Sequence, residues 1–376
     1  MIGARKASRA RRSLQNLGLS AGVFLLCALG CEVALRFAGY GNLEIYEPDA
    51  RLYWRLRPNQ DCFTKVDHRP VHINSQGTRG TEFETPKPAG TFRILSLGDS
   101  RTFGWGLSDN DTYSRRLEQL VGELVGREHS TLNIQHSISN SPLTPALSSS
   151  AEERERLARS LRDSKRVEVI NAGVNAWSYS QMAVYFRDVG LRFQPDVVIL
   201  AEANLWTQFS EKNDPEFVKK FLWRVRLKNL LRRFAIYHYV VEVQLQDFYQ
   251  RNRTKFIPVD PKQDALFKEQ QQTDPDAVFR TAIEGLCSMA RSNRVQPVLL
   301  FLPTLNDLQS TNQSRVLRAK LAVAAALRVP LADLTSGLSS QGKALYLEAD
   351  PVHLNARGNE IVAQQIIETI TNLTAP

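Results

Sequence analysis

Five apolar runs alternate with helical segments from residue 92 onward, and this alternation is the feature that most constrains the fold. The runs are FRILSLG, VEVINAG, PDVVILAEA, QPVLLFLP and VPLADL, which begin at residues 92, 167, 195, 296 and 329. Short, nearly continuous apolar runs are typical of strands buried on both faces. Strands that alternate with helices form a mostly parallel sheet with helices on both sides. The sequence therefore predicts an α/β fold, a three-layer α/β/α sandwich.

The segments between these runs have helical spacing or helix-capping residues. Residues 111–125, for example, place Leu117, Val121 and Leu124 on one face of a helix. Asn355 is the expected N-cap of the closing helix, and Asp274 followed by Pro275 is the expected start of an earlier one. Further helices are predicted at 180–190, 215–251, 275–291, 314–328 and 355–370.

The first 37 residues have the pattern of a membrane-targeting segment. A basic tail precedes Leu17–Cys31, which carries no charge, and the apolar stretch Leu14–Phe37 is long enough to span a bilayer. Because positive residues stay on the cytoplasmic side, the rest of the chain is expected outside that membrane. We favour a retained signal anchor over a cleaved signal peptide, a lipoprotein signal ending at Cys31, or a buried soluble helix.

Composition shifts divide the chain into four parts. Residues following the apolar segment are rich in Pro, Gly, Asp, Asn and Arg, which predicts short extended pieces joined by turns that pack on the main domain. The predicted parts are a basic tail (1–12), a transmembrane signal anchor (13–37), an N-terminal arm (38–91) and a main domain (92–376) with insertions near 129–166 and 208–270.

Charge and cysteine content argue against several classes of function. The net charge is +9, but five positive charges lie in the basic tail, so the remainder is too mildly basic to predict nucleic-acid binding. No Cys/His group has metal-ligand spacing, and Pro70 separates His68 from His72, so neither a metal nor a cofactor is expected. Cys62 and Cys287 lie in the part expected outside the membrane, where an oxidising compartment permits them to pair.

Polar or glycine residues follow the first three predicted strands. These are Ser100, Gly173 and Asn204, and the carboxyl ends of parallel strands meet at one edge of the sheet. A serine nucleophile needs a base and a group that orients the base, and Asp350 and His353 stand three residues apart near the C-terminus. The backbone amides of Ser100 and Gly173 and the side-chain amide of Asn204 could hold a developing oxyanion.

These blocks resemble the SGNH hydrolases, also called the GDSL family. The resemblance covers roughly Phe92 to Ile370 and comprises Gly98-Asp99-Ser100, Asn171-Ala172-Gly173, Asn204 and Asp350-Pro351-Val352-His353, in the family's order. It implies a flavodoxin-like sandwich, catalysis by Ser100, Asp350 and His353, and no cofactor or metal. The third block departs from the family pattern G-x-N-D, with Glu202 in the glycine position and Leu205 in the aspartate position. Glu202 is expected to crowd the site, to raise the pKa of the base if it lies near His353, or to point away into a polar layer.

The resemblance also implies a function and a location. The arm and N-terminal segment are similar to those of bacterial membrane-anchored members, which implies a single-pass inner-membrane protein with its catalytic domain on the periplasmic or extracellular side. The expected reaction is hydrolysis or transfer of an acyl group on a cell-surface carbohydrate, and the family's surface enzymes imply that this group is acetyl. The alternative is a non-catalytic polysaccharide-binding or assembly protein that kept the fold.

Residues 217–241 form a basic stretch with apolar residues at near-helical spacing. The stretch holds seven Lys or Arg residues and no acid. It could lie on anionic lipid headgroups, line a groove for an acidic polysaccharide, or be an amphipathic cap helix whose outer face is basic. Its expected position outside the membrane argues against a nucleic-acid partner.

Overall fold

The computed structural model describes residues 2–43, 46–64, 68–128, 151–203, 215–245, 275–348 and 350–374. The chain divides into two compact units. One comprises Met1–Leu43 and Leu227–Ile257, and the other comprises Glu44–Arg226 and Pro258–Pro376. The second unit holds the sheet and the candidate site.

A five-stranded parallel sheet forms the centre of the second unit, as the alternating apolar runs predict. The strand order is β6-β5-β7-β8-β9, and every neighbouring pair is parallel. Strand β5 lies between β6 and β7, so the residues that follow it emerge between the carboxyl ends of these two strands. The strands are β5 (Thr91–Gly98), β6 (Arg166–Gly173), β7 (Val197–Leu200), β8 (Gln296–Phe301) and β9 (Leu331–Asp333).

Helices cover both faces of this sheet, and each face has its own hydrophobic core. Along β5, Leu95 and Leu97 pack into one core, whereas Phe92 and Ile94 pack into the other, because successive side chains of a strand alternate in direction. The first core contains side chains of α5 (Tyr179–Asp188), α8 (Pro275–Ser292) and α10 (Arg315–Leu327). The second contains those of α3 (Tyr113–Glu128), α4 (Ala151–Arg162) and α12 (Ala356–Thr374). The predicted three-layer arrangement is confirmed.

The closing helix α12 begins at the predicted N-cap. Asn355 caps α12 by accepting a hydrogen bond from the Gly358 amide at 3.1 Å, as the sequence predicts. Asp274 and residues 129–150 of the first predicted insertion lie outside the described residues. The short helices of this unit are α2 (Ser100–Phe103), α9 (Leu305–Gln309) and α11 (Thr335–Ser339).

Two hairpins precede the sheet, within the arm expected at 38–91. They pair β1 (Tyr46–Asp49) with β2 (Tyr53–Leu56) and β3 (Gln60–Phe63) with β4 (Pro70–Ile73). Apolar side chains of both hairpins join the core that contains α5 and α8, including Leu52, Leu56, Cys62, Val71 and Ile73. Cys287 of α8 lies in the same core, and burial raises the pKa of its thiol to about 12.

The first unit contains the N-terminal helix and part of the second predicted insertion. Helix α1 spans Ile2–Phe37, and its segment Leu14–Phe37 is long and apolar enough to cross a membrane, with a mean hydropathy of 2.0. The helix predicted for 215–251 is shorter than expected: α6 (Pro215–Leu231) ends, and a new helical segment begins at α7 (Ala235–Tyr237) and continues as a π-helix through His238–Leu245. The break allows the amides of Ala235 and Ile236 to donate to the Glu32 carboxylate instead of to a preceding turn.

Candidate active site

Ser100 lies at the turn between β5 and α2. Asp99 caps α2 by accepting a hydrogen bond from the Arg101 amide at 2.9 Å, as expected for a structural residue of this turn. The turn is tight at Gly98, because a Cβ atom there would lie 2.1 Å from Thr102 Oγ1. A side chain at position 98 would therefore clash with α2.

Ser100, His353 and Asp350 form a continuous chain of hydrogen bonds. Ser100 Oγ lies 2.7 Å from His353 Nε2, and His353 Nδ1 lies 2.7 Å from Asp350 Oδ2. Because a carboxylate only accepts hydrogen bonds, the imidazole proton lies on Nδ1, and Nε2 is left to accept the serine proton. The structure thus brings together three residues that the sequence separates by up to 253 positions.

The loop that carries Asp350 and His353 holds the carboxylate in place through its own backbone. Asp350 Oδ1 accepts hydrogen bonds from the amides of Val352 at 2.8 Å and His353 at 3.1 Å. Burial alone would raise the pKa of Asp350, but the hydrogen bond and charge of His353, together with these amides, lower it below its usual value. Asp350 therefore stays ionised beside the imidazole.

An aromatic ring lies beside the imidazole of His353. The Trp105 ring lies with its centroid 5.9 Å from that of His353, tilted by 32°. Trp105 lies two residues after the end of α2, and its amide donates to Ser100 O at 3.1 Å. The segment that follows Ser100 therefore also places an aromatic side chain next to His353.

Gly173 lies at the expected edge but does not present its amide to Ser100. Its N–H donates to Asn171 Oδ1 at 3.0 Å, so the oxyanion role expected for this amide is wrong for the observed arrangement. A Cβ atom at Gly173 would lie 2.2 Å from the Phe103 nitrogen, and glycine is needed here because β6 approaches the backbone of α2 closely.

Ala176, shortly after the end of β6, is a residue that sequence reasoning missed. Ala176 is exposed and has φ 64°, in a turn closed by the hydrogen bond from Trp177 N to Val174 O at 3.1 Å. The third position of such a turn usually holds Gly or Asn, and an alanine there is strained. Among the described residues, the Ala176 N–H donates no hydrogen bond.

The remaining oxyanion donors are placed only in part. The Ser100 amide is the first of α2, and the first amides of a helix have no acceptor within the helix. Asn204 and Leu205 lie outside the described residues. The backbone just before Asn204 lies at the expected edge, because the Asp99 amide donates to Glu202 O at 2.9 Å.

Glu202 points away into a polar layer, which is the third of the three expectations for this residue. Its carboxylate accepts hydrogen bonds from Lys320 Nζ at 2.7 Å and from the Leu302 amide at 3.3 Å. Lys320 on α10 also donates to Leu200 O and Leu300 O, on β7 and β8. Both side chains are almost completely buried. Burial lowers the pKa of Lys320, and the Glu202 charge opposes that shift.

Arg79 is the main structural residue that sequence reasoning missed. Its guanidinium is buried and donates to Phe103 O and Gly104 O, both at 2.8 Å, to Leu107 O at 2.6 Å and to Asp109 at 2.7 Å. These carbonyls belong to the loop that follows Ser100. The arginine within the turn INSQGTRG was the available signal, but nothing in its spacing indicates which carbonyls it contacts.

Three solved structures illustrate what the chain is similar to. The first is a putative lipolytic protein of the G-D-S-L family from Desulfitobacterium hafniense DCB-2, with 13% identity, 74% of this chain and 98% of that chain covered, and a TM-score of 0.37. The second is the lipase/acylhydrolase from Enterococcus faecalis, which is 16% identical. The match covers 75% of this chain and 96% of that chain, with a TM-score of 0.36. The third is a two-domain esterase active on acetylated mannans, which is 12% identical. The match covers 76% of this chain and 50% of that chain, with a TM-score of 0.40. No protein-family model and no curated protein matches the sequence.

Proposed function

We propose that this chain is a membrane-anchored member of the SGNH hydrolases and acts as a serine esterase or acyltransferase. The observation that carries the proposal is the chain of two 2.7 Å hydrogen bonds from Ser100 through His353 to Asp350. The four sequence blocks, in the family's order, support the same assignment.

The proposed reaction proceeds in two transfers. Ser100 Oγ attacks the ester carbonyl while His353 Nε2 takes the serine proton, and the ester π electrons move to the carbonyl oxygen. Collapse of this tetrahedral intermediate expels the alcohol, which receives the proton from His353, and leaves an acyl-serine. Water or a sugar hydroxyl then gives its proton to His353 and attacks the acyl group, and Ser100 recovers its proton when it leaves.

The oxyanion is the other charge that the site has to stabilise. We assign this role to the Ser100 amide and, from the sequence blocks, to the Asn204 side chain. In place of the Gly173 amide we propose the exposed Ala176 amide, whose strained backbone is of the kind that persists at functional sites.

The substrate class follows from the proposed location. A domain held outside the bacterial inner membrane meets acylated surface carbohydrates, so we propose an acetyl or similar small acyl ester of such a carbohydrate. Glu202 and Leu205 are the two departures that favour the alternative of a non-catalytic binding protein. The pairing of Glu202 with Lys320 removes the support that came from Glu202, whereas Leu205 lies outside the described residues.

The direct test is labelling of the full-length protein by a fluorophosphonate, which reacts with an activated serine whatever the natural substrate. We expect the wild type to be labelled at Ser100 and to hydrolyse p-nitrophenyl acetate, and Ser100→Ala to lose both. Ser310→Ala, at an exposed serine, is the matched control. A wild type that is folded but neither labelled nor active would overturn the proposal. Oligosaccharide acceptors added to the same assay separate transfer from hydrolysis.

A further inference from the structure

The outer end of α1 is hydrogen-bonded to a segment about two hundred residues later. Glu32 Oε1 accepts from the Ala235 amide at 2.9 Å, and Glu32 Oε2 accepts from the Ile236 amide at 3.0 Å. Arg36 pairs with Glu32 at 2.8 Å and donates to Arg233 O at 2.7 Å. The single acidic residue of the apolar helix is therefore satisfied by this later segment.

The residues just after α1 extend the same contact. The Gly41 amide donates to His238 Nδ1 at 2.9 Å. The Tyr40 ring meets His238 and Tyr239 edge to face, with centroids 5.3 Å and 5.0 Å away. Gly41 has φ 95°, which lets the chain turn closely over Ala235. Helix α1 and the later segment thus form one packed unit.

These contacts bear on whether α1 is retained. A carboxylate within an apolar span is costly unless it is paired, and the partners of Glu32 come from its own helix and from residues 235–236. Cleavage of α1 would remove Glu32, which accepts hydrogen bonds from the amides of Ala235 and Ile236. A transient signal peptide has no need of such pairing with the folded chain.

The later segment, Leu227–Leu245, which we call the membrane seat, also exposes apolar side chains. Large apolar groups that are clustered and exposed mark interaction surfaces. Next to them α1 exposes Leu29, Val33 and Phe37. The exposed apolar residues of the seat are Leu227, Leu230, Phe234, Val240 and Leu245.

The charge of the membrane seat indicates the occupant of this surface. Lys228 and Arg233 are exposed on the seat, and Arg36 is exposed at the end of α1. Aromatic rings beside basic side chains at the end of a membrane span are typical of the bilayer interface. Basic residues at that depth attract anionic headgroups.

We propose that α1 is retained as the anchor and that the membrane seat lies in the headgroup region of an anionic phospholipid bilayer, with Glu32 joining the two. The proposal extends the anchoring in the proposed function and does not depend on whether Ser100 is a nucleophile. The seat would hold part of the chain against the membrane at the point where α1 leaves it.

The test uses the full-length protein reconstituted in phosphatidylcholine vesicles with and without phosphatidylglycerol. Cys27 and Cys31 are replaced by serine, and Phe234→Cys carries an environment-sensitive fluorophore. We expect a blue-shifted emission that is quenched by lipids with a nitroxide at a shallow acyl position. The same label at Ser310→Cys, an exposed site of the sheet-containing unit, is the matched control and should remain unquenched.

Two further variants separate the parts of the proposal. Glu32→Ala should reduce the quenching at position 234, because the amides of Ala235 and Ile236 in the membrane seat lose the carboxylate to which they donate. Lys228→Gln with Arg233→Gln should abolish the additional quenching produced by phosphatidylglycerol, whereas Lys343→Gln, at an exposed lysine elsewhere, should not.

Three results would overturn the proposal. One is a mature N-terminus that begins after Phe37. Another is a retained α1 with the label at position 234 in water, and the third is quenching that Glu32→Ala leaves unchanged. Loss of esterase activity in any of these samples bears on the proposed function alone.

Discussion

At the residue scale, the proposed reactivity of Ser100 depends on the orientation of one imidazole. Asp350 keeps the Nδ1 proton of His353 in place, so Asp350→Asn would favour the wrong tautomer while leaving the loop nearly isosteric. We expect kcat for p-nitrophenyl acetate to fall by about 10⁴-fold. Steady-state kinetics measure this, with Asp163→Asn at an exposed position as control. A loss below tenfold would show that Asp350 does not orient the base.

The same carboxylate links stability to pH. The pKa of Asp350 is lower in the folded chain than its ordinary value of 3.8, so its ionised form stabilises the fold above that value. This contribution is lost as the pH falls below 3.8 and through the folded-state pKa. We expect wild type to exceed Asp350→Asn in free energy of unfolding at pH 7, with the difference shrinking under acid conditions. Urea unfolding across this range measures it, and a constant difference would contradict it.

At the element scale, α10 is joined to β7 and β8 by the buried pair of Lys320 and Glu202. Lys320→Met leaves an unpaired carboxylate in the core and should lower the free energy of unfolding by about 3–5 kcal/mol. Adding Glu202→Gln should restore much of that loss, because the remaining amide carries no charge. Urea unfolding of the two single variants and the double variant measures the coupling. Strictly additive effects would show that the two side chains do not act as a pair.

At the scale of the whole molecule, the N-terminal arm supplies donors to the loop that follows Ser100. Arg79 satisfies the carbonyls of Phe103, Gly104 and Leu107, and each buried carbonyl left without a donor costs about 1–3 kcal/mol. Arg79→Met should therefore lower both the free energy of unfolding and kcat, whereas Arg57→Met, at an exposed position of the arm, should change neither. Unchanged kcat in a folded Arg79→Met variant would show that the arm does not support the site.

Much of the fold, and the Asp350–His353 pair of the site, follow from local patterns in the sequence. The strands were predictable because each is a short apolar run, and the Asn355 cap because capping acts within one turn. Asp350 and His353 are three residues apart in one loop, so their pairing is almost a local property. The helix predicted over 215–251 is too long. The break in it leaves the Ala235 amide without a helical acceptor, and Glu32, about two hundred residues earlier, accepts from that amide, so no local pattern indicates the break.

The sequence by itself determined the order of strands and helices, the serine turn and the aspartate–histidine loop, since periodicity, capping and short spacing act over a few residues. Only the tertiary structure decided that Lys320 pairs with Glu202 and that Arg79 reaches the loop after Ser100. Those choices depend on which buried donor finds which acceptor. Partners such as Lys320 and Glu202, 118 residues apart, leave no periodic trace in the chain.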